Sequence, residues 1–298
     1  MIKAVIDIGT NSTRLFVANV NENKIEGLLK MLATTRLGEG ILNSPYMLEN
    51  AMERTSDKVK EFVSIAKEHN AEEIYIYATA VVREAKNKNV FENLIFEKTG
   101  VKLDVIPGSM EGEIAFIGAA GEFEFPAVID IGGGSTEVVT KSGVLKALSL
   151  KTGGVRLKEQ FETPSGIVDI EPIKDFIKEN YIPFYKDSTD ILSAKTLIGV
   201  SGTPTTLASL SLGLKAYEPK KIQDYVFLKK DLDSALNHLA SLTKEERREF
   251  SGDFKERADI IVFGGCILTA FMEYYNFDRL IISDHDSLEG YLLKKATE

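Results

Sequence analysis

Cysteine is nearly absent from this chain. Cys266 is the only one in 298 residues, which excludes an intramolecular disulfide and with it any disulfide-stapled scaffold. It lies in an apolar, helix-patterned stretch and reads as a buried spectator. Long apolar runs are missing as well: none approaches the length of a membrane span. The N-terminus enters a strand pattern by Ile2, which leaves no room for a signal peptide. A cytoplasmic protein with no membrane partner is therefore expected. Positive charge is in deficit, with 36 Lys and Arg against 45 Asp and Glu and a net charge of −9, which argues against a broad nucleic-acid surface. Hydrophobic content of 44% and charged content of 27% are ordinary for a globular protein, and the length suits two domains with separate cores.

The most informative stretch is Val128-Ile129-Asp130-Ile131-Gly132-Gly133-Gly134-Ser135-Thr136-Glu137. A β-branched run ends in a carboxylate, passes three glycines and resumes as Glu137-Val138-Val139, the pattern of strand, turn and strand. Three glycines leave their N–H groups uncovered by any Cβ, so a phosphate can approach them closely. Asp130 stands at the mouth of the turn, where a carboxylate can hold Mg²⁺ against the same phosphate. A tight hairpin also needs glycine without any ligand. What favours the phosphate reading is repetition. Ala4 to Thr13 matches Ala127 to Thr136 at every position except Thr10/Gly133 and Asn11/Gly134. Such self-similarity marks two duplicated units, and ligands bind preferentially in clefts between domains. After the shared Ser-Thr the copies diverge, to Arg14 in the first and Glu137 in the second. One half thus offers a cation and the other a second carboxylate.

In chain order, 2–8 and 13–20 are expected as a hairpin and 24–33 as a third strand. Leu48, Ala51, Met52, Thr55, Val59, Phe62, Val63 and Ala66 follow a helical spacing. Ile74 to Thr79 is a buried strand, with Arg83 just beyond its end, where α/β folds place ligands; a structural salt bridge is the plainer alternative. A helix through Phe91 and Ile95, the strand Leu103–Ile106 and a helix from about Ser109 complete the first half. Glu111 falls in that helix's first turn, where a carboxylate favours the macrodipole without any further role. The turn-rich 118–126 stretch marks the boundary, giving domains 1–122 and 123–298. The second half repeats hairpin and strand over 127–150. It continues through Gly153-Gly154 into a helix and delivers the strand Leu197–Val200 into Ser201-Gly202-Thr203-Pro204. That junction fits an anion site at a helix N-terminus, or an ordinary N-cap with Pro at the first position. A charged helical pattern spans Leu228–Phe250. An apolar helix interrupted by Gly264-Gly265 spans Arg257–Tyr275, followed by the strand Leu280–Ile282 and a helix over Leu288–Lys295.

The repeated Asp-Ile-Gly pattern resembles the actin-like ATPase superfamily. The chain as a whole is similar to the exopolyphosphatase/guanosine pentaphosphate phosphohydrolase (Ppx/GppA) family, in its short two-domain form. The resemblance rests also on Thr35-Arg36-Leu37-Gly38-Glu39-Gly40, Ala78 to Ala85, Pro107 to Gly112 and Gly199 to Thr203. It implies an α/β protein of two actin-like (ribonuclease H-like) domains, whose mixed sheets face a central cleft. It implies release of terminal orthophosphate from inorganic polyphosphate, with guanosine pentaphosphate as a further substrate. Asn11, Ser12, Arg14, Arg83, Gly133, Gly134, Ser135, Gly202 and Thr203 are then the phosphate-binding residues. Asp130 and Glu137, with Asp7 through water, are the residues expected to hold Mg²⁺. Glu111 aligns with the family's catalytic glutamate, which activates or orients the attacking water, and Glu137 joins it in catalysis through the cation. Arg36, Lys86, Lys88 and Arg156 are candidates for the same local positive patch, although each lysine alone reads as surface solvation. The chain departs from the family at Ser283 to Gly290. Leu288 replaces a phosphate-binding arginine, and His285-Asp286, which replaces glycines, reads as a polar turn.

Two other functions use the same fold: a small-molecule kinase, and a non-catalytic nucleotide-binding scaffold. The first predicts nucleotide-dependent phosphoryl transfer, and the second has no use for a glutamate at position 111. A homodimer is the base-rate expectation.

Overall fold

The computed structural model describes residues 1–21, 24–249 and 252–297. It contains two mixed sheets, each in its own compact unit. In the first sheet β1 (Ile2–Ile8), β2 (Ser12–Asn21) and β3 (Lys24–Thr34) run antiparallel, while β4 (Glu73–Ala78) and β5 (Leu103–Val105) run parallel to β1, in the order β3-β2-β1-β4-β5. The second sheet repeats that order with β6 (Pro126–Ile131), β7 (Thr136–Ser142), β8 (Val144–Leu150), β9 (Thr196–Val200) and β11 (Arg279–Ile282). It adds β10 (Tyr225–Leu228) antiparallel on the β11 edge. The duplication seen in the loops is therefore a duplication of topology.

The central strands β1 and β6 are buried along nearly their whole length because both sheet faces are covered there. Side chains alternate across β1. Ala4, Ile6 and Ile8 pack with Val59, Phe62 and Val63 of the helix Glu49–Glu68, whereas Val5 packs on the other face with Tyr77, Ile114, Leu288 and Tyr291. In the second unit the helix Ile261–Tyr274 is buried over most of its length within the core that also takes Ile129 and Ile131. Cys266 lies in that core, and burial pushes its thiol up to about 12, so it stays protonated at neutral pH.

Several expectations are corrected. The first unit comprises Met1–Gly118 together with Ser287–Glu298, and the second Ala119–Asp286. The last helix, Ser287–Thr297, thus belongs with the first half, not with a domain spanning 123–298. The physical reason is its apolar stripe: Leu288, Tyr291 and Leu292 complete the core on the Val5 face of the first sheet. The stretch expected as one charged helix begins as β10 and then divides into helices Lys229–Ser241 and Lys244–Glu249. Phe250, which closes that pattern, lies outside the described residues. Gly264-Gly265 does not interrupt its helix; the missing side chains make room for Thr203 and Leu236 instead. Helices Ile170–Asn180 and Ile182–Ser188 were not marked by the sequence patterns considered above. Among the described residues, no helix is long and apolar enough to cross a membrane.

Candidate active site

Each unit builds its glycine-turn hairpin in the same way. The hairpin is closed by Gly9 N–H donating to Ser12 O at 2.9 Å in the first copy, and by Gly132 N–H donating to Ser135 O at 3.0 Å in the second. The strand registers match as well: Asp7 lies opposite Arg14, and Asp130 opposite Glu137.

A second segment then holds each loop from one side. In the first unit Arg36 N–H donates to Asn11 O and Gly38 N–H to Thr10 O, both at 2.8 Å, and the Thr13 and Thr35 hydroxyls lie 2.9 Å apart. In the second, Gly154 N–H donates to Gly132 O at 3.0 Å and Val155 N–H to Gly133 O at 2.9 Å. Arg156 Nε donates to Gly134 O at 2.7 Å, and the Thr136 hydroxyl to Thr152 O at 2.7 Å. Across a planar trans peptide the C=O and the next N–H point in opposite directions. Carbonyls tied to the bracing segment therefore aim the N–H groups of Asn11 and Ser12, and of Gly133, Gly134 and Ser135, away from it. Those are the residues the sequence assigned to phosphate. The brace is close-fitting: a Cβ on Gly153 would come 2.5 Å from Gly133 O. Arg36 and Arg156 are thus part of the brace. Arg36 itself is exposed and holds a positive φ of 49°, while Lys86 and Lys88 are exposed.

The carboxylates differ between the units. Asp7 Oδ2 accepts from Arg14 Nε at 3.0 Å and from Arg14 Nη2 at 2.6 Å. The charge of Asp7, expected at a metal, is already matched by Arg14. In the second unit Asp130 and Glu137 are directly opposed acids, 7% and 1% exposed, an arrangement that is destabilising without a compensating cation. Glu137 Oε1 accepts from Ser149 Oγ at 2.6 Å, and Ser149 faces it on β8. Nearby Tyr185 donates to Thr136 O at 2.9 Å; burial first, then the Glu137 charge, pushes its hydroxyl well above the ordinary range and keeps it a neutral donor. Two buried carboxylates with hard oxygens at the mouth of a glycine turn fit a divalent cation that would take its other ligands from water and substrate. Among the described residues, no three acidic, histidine or cysteine side chains gather for a metal, His285 and Asp286 included.

Glu111 and Arg83, singled out separately in the sequence, meet. Arg83 Nη1 donates to Glu111 Oε2 and to Ile106 O, each at 3.0 Å. Glu111 sits in the first turn of the helix Gly108–Ala119, directly after β5. The plainer reading of Arg83 as an ion-pair partner is correct as far as it goes; the pair also places a guanidinium beside the candidate catalytic carboxylate. On the sequence-based expectation that Arg83 binds phosphate, Arg83→Ala raises the half-saturating substrate concentration about tenfold. Turnover should fall as well, since Glu111 loses the donor that orients it. A rate curve identical to wild type would leave the pair a purely structural contact.

At the junction after β9 the outcome is mixed. Ser201 has φ 64° and ψ −166° and makes no side-chain cap, and Pro204 stands third in the helix Gly202–Ser211 rather than first. A residue with a Cβ held in that region costs about 1–3 kcal/mol, the kind of strain that collects at functional sites. The Thr203 hydroxyl points inward and donates to Ile131 O at 3.4 Å, so any anion contact of Thr203 falls to its backbone. Sequence reasoning missed Arg257. Its guanidinium packs on Gly202, where a Cβ would come 1.8 Å from Cζ. A cation beside the positive end of a helix is unfavourable unless an anion joins it. The sequence carried one signal, the absence of a side chain at Gly202. Leu288, at the family's arginine position, is fully buried in the first unit's core and contributes no charge.

Two topologically equivalent mixed sheets, each carrying a braced glycine-turn hairpin, define a duplicated mixed α/β protein. The model of the Ppx/GppA phosphatase family matches residues 16–298, and the chain belongs to that family. It is 32% identical to the bifunctional 3-dehydroquinate synthase/phosphatase of Fusobacterium nucleatum over 98% of this chain, but spans only 46% of that protein. It is 29% identical to exopolyphosphatase 2 of Mycobacterium tuberculosis, covering 98% of both chains. Among solved structures, an exopolyphosphatase from Cytophaga hutchinsonii superposes with a TM-score of 0.90 at 26% identity, covering 100% of this chain and 98% of that one. The Aquifex aeolicus family member gives 0.80 at 28% identity, with 100% and 98% coverage.

Proposed function

We propose that this phosphohydrolase releases terminal orthophosphate from inorganic polyphosphate, with guanosine pentaphosphate as a further substrate, and that the loop amides hold the phosphates. The observation that carries this is the doubled brace, which turns the amides of Asn11, Ser12, Gly133, Gly134 and Ser135 outward. Phosphoryl transfer needs positioning and charge neutralisation more than covalent chemistry. The amides and the start of the Gly202–Ser211 helix, with Arg257 against it, take phosphate oxygens. Arg14, held by Asp7 and Ser287, serves the phosphates as well, as a guanidinium suits phosphate oxygens. Mg²⁺ on Asp130 and Glu137 supplies charge neutralisation when bound. Glu111, oriented by Arg83, accepts a proton from, or aligns, the water that attacks the terminal phosphorus. An exopolyphosphatase and a guanosine-5′-triphosphate,3′-diphosphate pyrophosphatase among the relatives support both substrates.

An orthophosphate-release assay tests this reading, run on polyphosphates of defined length, guanosine pentaphosphate and ATP, each with Mg²⁺ and with chelator. Release only in the presence of an alcohol or sugar acceptor would indicate a kinase instead. Glu137→Gln is expected to raise the half-activating Mg²⁺ concentration at least about tenfold, because one carboxylate binds the cation weakly. Calorimetric Mg²⁺ binding should weaken in parallel. Full activity of the variant at low Mg²⁺ would remove Glu137 from the cation site.

A further inference from the structure

The last helix reaches Arg14 through Ser287. Arg14 Nη2 donates to Ser287 Oγ at 3.0 Å, and Tyr77 Oη donates to the same oxygen at 3.1 Å. A serine oxygen has two lone pairs, and these two donors occupy both. Arg14 is thereby held at two points, by Asp7 Oδ2 and by Ser287 Oγ, and a planar guanidinium fixed at two points has its plane set. Ser287 and Tyr77 are both buried, so little water competes for these bonds.

The anchor itself is rigid. Ser287 and Tyr291 lie four residues apart, on one face of their helix. The Tyr291 ring stacks on Tyr77, with centroids 4.7 Å apart and an interplanar angle of 17°, and its hydroxyl donates to Asp104 Oδ2 at 3.2 Å. Between them, Gly290 lets the helix press on the helix that carries Glu111: a Cβ there would come 1.7 Å from Ile114 O. Lys294 bonds Glu113 of that same helix at 2.9 Å.

We propose that Ser287 is a positioning residue for Arg14, through which the C-terminal helix sets the orientation of the guanidinium on the substrate phosphate. The proposal rests on the reading of Arg14 as a phosphate ligand. No electron transfer or bond cleavage at Ser287 is involved; it acts only through the hydrogen bond it accepts.

The test is a double-mutant cycle, read as kcat and KM for orthophosphate release from whichever panel substrate turns over, together with thermal melting of each variant. Ser287→Ala is expected to raise KM about five- to tenfold, in keeping with loss of one hydrogen bond to a charged group, while kcat changes less than twofold. Ser287→Thr, which keeps the hydroxyl, should restore KM to within about twofold. In an Arg14→Ala background Ser287→Ala should add nothing, because the group it positions is gone. An equal rise of KM with and without Arg14 would overturn the proposal, as would no rise at all when Arg14→Ala alone is impaired. If Arg14→Ala itself behaves as wild type, the underlying reading of Arg14 fails first, and the proposal with it. Should Ser287→Ala not fold, Ser287→Cys carries the test. It keeps the side chain's size and leaves only a weak acceptor for Arg14, and a KM unchanged from wild type would overturn the proposal.

Discussion

Glu111→Gln is expected to lower turnover roughly 10²–10⁴-fold, the usual contribution of a carboxylate that orients or deprotonates an attacking water. The substitution keeps the size of the side chain and its ability to accept from Arg83 Nη1 at Oε, a bond of 3.0 Å, so the helix Gly108–Ala119 should stay in place. What it removes is the negative charge and most of the basicity. Polyphosphate should bind as well as before or better, since one like charge near the substrate has gone. The measurement is single-turnover orthophosphate release beside equilibrium binding and a melting curve. A variant that turns over at the wild-type rate but melts early would make Glu111 a helix-start residue, paired with Arg83 for stability alone. The hydrolytic chemistry would then lack its base in the first unit.

Gly153→Ala is expected to cost about 10²-fold in kcat/KM, although residue 153 has no role in the chemistry. Its Cβ would come 2.5 Å from Gly133 O, 2.6 Å from Gly133 C and 2.8 Å from Gly132 O. These are backbone atoms that cannot swing aside as a side-chain tip can. The glycine loop or its brace must move, and displacing a catalytic geometry by around 1 Å costs on that order. Gly154→Ala is the control. Its Cβ would meet Ile260 O at 3.3 Å, a contact relieved by a few tenths of an ångström, so activity should remain within a few-fold of wild type. Equal activity in the two variants would show that the brace does not set the loop. Circular dichroism separates a displaced loop from an unfolded unit.

The parts of the site legible in the sequence are those whose cause is local. Asp7 and Asp130 precede their loops, and Ser12 and Ser135 follow them, because a tight hairpin and an uncovered amide each demand particular residues at particular spacings. The divergence between Arg14 and Glu137 was also readable. Its consequence, an opposed acid and base (Asp7–Arg14) in one unit and two opposed acids (Asp130–Glu137) in the other, follows from the strand register. The segments that brace the loops were visible as Thr35 to Gly40 and Gly153-Gly154, but nothing local indicated that they bind loop carbonyls. That depends on how the chain returns after β3 and β8.

By itself, then, the sequence determined the two hairpins, the amides that they carry, the apolar strands on either side and the helix-start glutamate. Each of these is set by side-chain alternation and turn chemistry within about ten residues. Tertiary structure alone decided that Arg83 reaches Glu111, that Arg257 packs on Gly202, that the Thr203 hydroxyl turns inward and that the last helix returns to the first unit to meet Arg14. These pairs are separated by 28 residues in the first case and 273 in the last. A contact across such a distance is specified by which strands lie side by side and which apolar stripe remains to be covered. Leu288, Tyr291 and Leu292 found the Val5 face of the first sheet for that reason, and Ser287 was carried to Arg14 with them.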